Sequence, residues 1–512
     1  MATYTLELYL SPENLEDTLE NIEKGTGIRP VPFYSHPRPG FELFYSIRVP
    51  KTPGKNEWDW ARELTAYDGV LEADPVKTLM GLTLPQNDSY NSDEDYPEYR
   101  QLAWNHVQTS FPEAIKKSVA QGKLDTTRGT GIKVAHFDTG VSRHQALGSI
   151  INYGINFIEE GSDPIDPLTD EMQHPGHGTS TSGIIIGSGK GGPNPDIFNK
   201  GVFPYVDLIP YRISNSVVHI LRPGFIADAI IDAVDKGCAV ITMSMGGAPP
   251  TRRWLEAVEY AYKNGVIFCS AAGNDVGFVV WPARYSQVFA IAGLNINREP
   301  WEGSCHGKSV ILSAPGENVY VCRARMGDSA ISYDYSFGSG TSFATPHVAA
   351  AAALWLNHFG AELSSLPQKH MIPDAFRWAL EKSATGFPSG LNGYGKGVLN
   401  AELLLDYGPL DYKNELNSAP LRAGHGFLLT ENGTLLSSTD KEMLDLIVNN
   451  SVNSIEELEC HIDSVGSGEA QERYYKLKSE RAGFVDGTSS AKNAAGSKSF
   501  NVYKAGLINQ IL

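Results

Sequence analysis

Apolar and polar residues alternate at Tyr4, Leu6, Leu8 and Leu10, and again at Leu43, Tyr45, Ile47 and Val49. A period of two marks strands with one face on a core. Ser11-Pro12 reads as a helix cap followed by proline at the first helical position. Trp60, Leu64 and Tyr67 have helical spacing. Asp68-Gly69 is a turn, and Val70-Leu71-Glu72-Ala73-Asp74-Pro75 reads as an edge strand. Residues 1–82 are therefore expected to form a small α+β unit. The pattern stops at residues 83–100, which are acidic, contain Pro and Asn, and have no period. They predict an exposed linker.

From 101 to 408 short apolar runs alternate with amphipathic stretches. Ile132–Phe137, Leu208–Tyr211, Ala239–Met243, Val266–Cys269, Val288–Ile291 and Val310–Leu312 read as strands. Ile226, Ile230 and Val234, then Leu255, Val258 and Tyr262, read as helices between them. Strands alternating with helices predict an α/β domain with a parallel sheet sandwiched by helices. Residues 409–512 are more polar, with a Gly/Ser/Ala/Lys stretch near 483–498, and form a C-terminal extension without an assigned role.

A chain of 512 residues is long enough for two or three domains, and 41% hydrophobic with 20% charged residues describes a globular chain. The net charge of -17 argues against nucleic acid and anionic membrane as partners. No apolar run reaches the roughly 18 residues of a membrane span. The N-terminus has no basic region, and Glu7 interrupts any apolar core of a signal peptide, so a cytoplasmic location is expected. Cys238, Cys269, Cys305, Cys322 and Cys460 are scattered without C-x-x-C spacing. That pattern fits free thiols in a reducing compartment better than disulfides or zinc.

Three segments carry candidate chemistry. In Val134-Ala-His-Phe-Asp138-Thr-Gly140 an Asp ends a buried strand, and ligands of open parallel sheets bind beyond such strand ends. In His174-Pro-Gly-His177-Gly-Thr-Ser-Thr-Ser-Gly183 small residues follow His177, with His174 as a competing candidate. In Gly338-Ser339-Gly340-Thr341-Ser342-Phe343-Ala344-Thr345-Pro346 a glycine-rich turn enters an alanine-rich helix at Ser342, and Ser339 reads as a turn residue. A helix N-terminus offers free N–H groups and partial positive charge to a developing oxyanion. Pro346 lies inside that helix, where proline ordinarily costs about 3 kcal/mol, so a special local geometry is expected.

Together the three segments resemble the subtilisin-like serine proteases, the subtilases, whose motifs D-[ST]-G, H-G-T and G-T-S-x-A-x-P occur in this order. The resemblance implies a catalytic triad of Asp138, His177 and Ser342, with Asn274 of Ser270-Ala-Ala-Gly-Asn274 as oxyanion donor. It also implies a substrate-pairing segment at Ser244, Met245 and Gly246, and Val280 at the base of the S1 pocket. The implied activity is serine endopeptidase, acting on a protein or peptide through an acyl-enzyme and needing no metal or organic cofactor. Leu147 replaces a carboxylate that often binds calcium in the family, so that calcium site is expected to be missing. The end of the 1–82 unit is similar to a propeptide, implying an intramolecular inhibitor. Two other readings stand beside this one: a dedicated processing or signalling protease with one partner substrate, and a pseudoprotease that binds peptides without cutting them.

Overall fold

A computed structural model describes residues 3–75, 89–91 and 103–418, apart from short internal breaks. Most of the expected linker, the extension beyond 418 and Cys460 lie outside the described residues.

The N-terminal unit is an antiparallel sheet in the order Val31–Pro32, Phe44–Pro50, Thr3–Leu10, Val70–Pro75. Val70–Pro75 is an edge strand, as its sequence predicts. Leu6, Leu8, Leu10, Ile47 and Val49 are buried against Ile22 of helix Leu15–Thr26 and against Trp60 and Leu64 of helix Glu57–Leu64. The first helix does not start at Ser11-Pro12. Ser11 Oγ accepts from Glu13 N at 3.1 Å, which closes a local turn, and Asn14 in a left-handed conformation precedes Leu15. Such serine–backbone bonds compete with helix formation. Tyr67 lies past the end of the second helix, yet it still packs on the same core.

The other face of this sheet docks on helices Pro223–Asp235 and Arg252–Lys263. Glu7 Oε2 accepts from Arg253 Nε at 2.6 Å, and Arg253 Nη1 also donates to Asp228 at 2.7 Å. Tyr34 donates to Asp228 at 3.2 Å, the Arg253 guanidinium lies 3.8 Å from the Phe33 ring centre, and Phe41 meets Tyr260 edge-on. Phe41 and Phe44 share one apolar cluster with Trp254, Leu255 and Val258. Burial pushes the Glu7 carboxyl up, and Arg253 opposes that shift.

The second unit is built on a seven-stranded parallel sheet. Its order is Val310–Pro315, Val288–Leu294, Ile267–Ala271, Val240–Met243, Lys133–Asp138, Asp207–Arg212, Ile155–Asn156. All six predicted runs are strands. They lack alternation because both faces are covered. Helices Pro223–Asp235 and Arg252–Lys263 pack on one face, and helices Phe111–Ala120, Thr341–His358 and Met371–Ser383 on the other. Helix Pro409–Ser418 lies past the expected 408 boundary but belongs to this body. Trp378 Nε1 donates to Glu415 at 2.9 Å and Lys413 Nζ to Ser365 O at 2.9 Å.

An antiparallel hairpin, Val319–Met326 with Ile331–Ser339, was not foreseen. Ser89–Asn91, inside the stretch expected to be structureless, pairs antiparallel with its second strand, Ser89 opposite Ser339. The Gly246–Gly247 edge pairs in parallel with Val218–His219. Cys238, Cys269, Cys305 and Cys322 are buried and lie outside any disulfide. Among the described residues no helix is long and apolar enough to cross a membrane.

Candidate active site

Asp138 is the last residue of a central strand, Lys133–Asp138, and is fully buried. Its Oδ1 accepts from Thr139 N at 2.8 Å and lies 2.7 Å from His177 Nδ1. Its Oδ2 accepts from Thr181 Oγ1 at 2.9 Å. Burial alone would raise the Asp138 carboxyl, but the charge and hydrogen bond of His177 outweigh it and the pKa falls below the ordinary value. An ionised carboxylate only accepts, so His177 carries its proton on Nδ1 and Nε2 is the basic atom.

His177 opens helix His177–Ile186, directly after Gly176 with φ 78°. The glycine that follows is a steric requirement. A Cβ on Gly178 would lie 2.0 Å from Gly140 O and 3.0 Å from Asp138 Cβ. His174 sits edge-on to His177, ring centres 6.2 Å apart, and it is His177 that meets Asp138. Sequence reading missed Asp166. It is buried, and its Oδ2 accepts from Gly176 N and Thr139 Oγ1, both at 2.8 Å, which ties the turn before His177 to the residue after Asp138. Burial pushes this carboxyl up to about 6, against the pull of its hydrogen bonds. No motif surrounds Asp166, so only the fold exposes its role.

Ser342 is the second residue of the 18-residue helix Thr341–His358. The first N–H groups of a helix have no partner within it. Pro346 lacks the N–H that would bond the carbonyl four residues earlier, and that carbonyl belongs to Ser342. Ser244 supplies the missing donor: its Oγ donates to Ser342 O at 2.8 Å, and Ser342 Oγ donates back to Ser244 O at 3.2 Å. The special geometry expected at Pro346 is this exchange. His177 packs beside the next residue, Phe343, ring centres 6.2 Å apart. Ser339 ends a strand, and its Oγ accepts from Asn318 N at 2.9 Å.

Asn274 Oδ1 accepts from Thr341 N at 3.0 Å and Thr341 Oγ1 at 2.7 Å. The carboxamide is thereby oriented next to Ser342. Val280 fills the space between two glycines. A Cβ on Gly246 would lie 2.3 Å from Val280 Cγ2, and one on Gly273 would lie 2.9 Å from Cγ1. The Met245 side chain is buried in the core, so only its backbone is left for a bound chain. Leu147 packs with Val141, Ala146, Ile151 and Tyr335, an apolar setting that gives a cation no oxygen from this side chain.

The sequence profile of the Subtilase family matches residues 129–397. The chain is 32% identical over 252 residues to the major intracellular serine protease of Bacillus subtilis (strain 168), covering 48% of this chain and 74% of that one. It is 31% identical over 280 residues to Subtilisin Savinase of Lederbergia lenta, covering 54% of this chain and 90% of that one. Among solved structures it is similar to fervidolysin from Fervidobacterium pennivorans, a keratinolytic enzyme related to subtilisin, with a TM-score of 0.55 and 21% identity. That similarity covers 79% of this chain and 61% of fervidolysin, and it concerns the fold.

Proposed function

Because this chain belongs to the subtilase family and is a serine endopeptidase, we propose that Asp138, His177 and Ser342 carry its chemistry, with Asn274 holding the oxyanion. The observation that carries the assignment is the 2.7 Å contact of Asp138 with His177, buried beside a helix whose first turn holds Ser342. Ser342 Oγ attacks the peptide carbonyl while His177 Nε2 takes its proton. Asp138 keeps the imidazole in the required tautomer and offsets its positive charge. The carbonyl oxygen, now an oxyanion, takes hydrogen bonds from the Asn274 carboxamide and the Ser342 N–H. His177 then protonates the leaving amine, and water hydrolyses the acyl-enzyme. A fluorophosphonate probe should label the protein at Ser342 and nowhere else; labelling that survives Ser342→Ala would overturn the assignment.

The S1 pocket is narrow because Val280 stands between Gly246 and Gly273. Small P1 residues are therefore favoured over aromatic ones. Val280→Gly should raise kcat/KM for P1 Phe relative to P1 Ala by about tenfold or more, the usual worth of a few methyl groups in a pocket. A P1-randomised peptide library reads the ratio, and a wild-type preference for Phe or Trp would contradict the pocket.

The N-terminal unit, residues 1–82, acts as an inhibitor in the same chain. Two observations support this: its sheet docks through the buried Glu7–Arg253 pair and the half-buried Asp228, and Ser89–Asn91 pairs with the strand that ends three residues before Ser342. A short tether holds the local concentration in the millimolar range, so modest affinity suffices. Residues 1–82 in excess should suppress the activity of a chain starting near residue 100. Full activity in that mixture would instead make the unit a permanent structural part. The buried thiols of Cys238, Cys269 and Cys322, outside any disulfide, support a reducing compartment such as the cytoplasm.

A further inference from the structure

At the second oxygen of Asp138, two polar side chains are sealed from water. His136 stands two residues earlier on the same strand, and Thr181 lies one turn past His177 on its helix; both are buried. His136 Nε2 is 2.8 Å from Thr181 Oγ1, which is 2.9 Å from Asp138 Oδ2. A hydroxyl has one proton, and an ionised carboxylate only accepts, so Thr181 donates to Asp138. The backbone oxygens of His177 and Gly178, at 3.2 and 3.4 Å from Thr181 Oγ1, are longer and uncharged alternatives. With its proton committed, Thr181 accepts from His136. That fixes His136 as the Nε2–H tautomer, and its Nδ1 has no hydrogen-bond partner among the described residues. Burial pushes the His136 imidazole down to about 4, so it is neutral at ordinary pH.

We propose that His136 and Thr181 are positioning residues for the proteolytic reaction: a hydrogen-bond chain from His136 through Thr181 pins Oδ2 of Asp138, so that Oδ1 stays aimed at His177 Nδ1 while His177 gains and loses a proton. Buried polar groups are costly unless bonded, and an apolar pair of the same shape would fill this space without that cost. The bonds of this pair end on the carboxylate that His177 uses. Charge-assisted bonds of this kind are stronger than neutral ones and hold their acceptor in direction as well as distance.

The inference rests on the assignment of Asp138, His177 and Ser342 as the catalytic group. Peptide turnover by the full chain is measured per active site, with active sites counted by fluorophosphonate titration. Thr181→Val keeps the shape and removes the hydroxyl; kcat should fall roughly tenfold or more, the worth of one hydrogen bond to a charged group, with KM nearly unchanged. Thr181→Ser should restore most of kcat. His136→Leu should lower kcat less, and His136→Leu combined with Thr181→Val should be no slower than Thr181→Val alone, since both act through one chain. The downfield NMR signal of the His177 Nδ1 proton should move in Thr181→Val and stay in Thr181→Ser. Wild-type kcat in Thr181→Val, an equal loss in Thr181→Ser, multiplying losses in the double variant, or a kcat loss that tracks the folded fraction by thermal unfolding would each overturn the positioning role. Those results leave the catalytic group standing, whereas a wild-type protein inert to the fluorophosphonate overturns both.

Discussion

Ser342→Ala should reduce peptidase turnover by roughly a millionfold, a magnitude known from subtilisin itself rather than calculated for this chain. The reason is local. Ser342 Oγ is the atom proposed to form the acyl-enzyme, and no other hydroxyl in the glycine-rich turn can replace it. Ser339 Oγ is engaged by Asn318 N, and Thr341 Oγ1 donates to Asn274. What remains after the change is binding and oxyanion stabilisation, worth far less than the nucleophile. The protein should stay folded, because the carbonyl left open by Pro346 belongs to the Ser342 backbone and still receives Ser244 Oγ. Thermal unfolding checks the fold, and peptide turnover checks the chemistry. A Ser342→Ala protein that cuts as fast as wild type, free of contaminating protease, would remove Ser342 from the mechanism.

Asn274→Asp should lower kcat by about 100- to 1000-fold with a small change in KM, the range measured in subtilisin for loss of one oxyanion donor. Aspartate keeps an oxygen for Thr341 N and Thr341 Oγ1, so the anchoring bonds at 3.0 and 2.7 Å can persist. It loses the N–H donors and places a negative charge where negative charge develops. Asn274→Ala removes the anchor as well as the donor. If the role of Asn274 were only to hold Thr341, Asn274→Asp would stay active while Asn274→Ala would fail. Steady-state kinetics on one peptide substrate with both variants separates the two roles.

Much of the architecture was legible in the chain. The six apolar runs of the parallel sheet are strands because a strand covered on both faces is largely apolar without alternation, and that is a local property of the sequence. The alternation at Tyr4–Leu10 and Leu43–Val49 was equally local. The three motifs that hold Asp138, His177 and Ser342 were visible for a similar reason: each needs small residues beside its functional group, as at Gly178, where a Cβ would lie only 2.0 Å from Gly140 O. The hairpin strands Val319–Met326 and Ile331–Ser339 also alternate, but their polar and tyrosine-rich faces gave a weaker signal.

What the sequence by itself determined was the type of the principal strands and helices of the two units and the identity of the three groups proposed to do the chemistry. Only the tertiary structure decided which of those groups meet. Asp138 reaches His177 across 39 residues, Ser244 reaches Ser342 across 98, and Arg253 reaches Glu7 across 246. None of these distances is encoded in a periodicity, because a hydrogen bond depends on where the ends of separate strands and helices converge. Glu7 reads as a polar residue on an alternating strand, yet docking buries it with Arg253. His136 and Thr181 read as ordinary residues within two motifs, and the fold joins them at the unused oxygen of Asp138. Pro346 announced a departure from helix geometry, but the donor that satisfies the open carbonyl comes from a different strand end, which the packing of helix Thr341–His358 against the sheet brings within 2.8 Å.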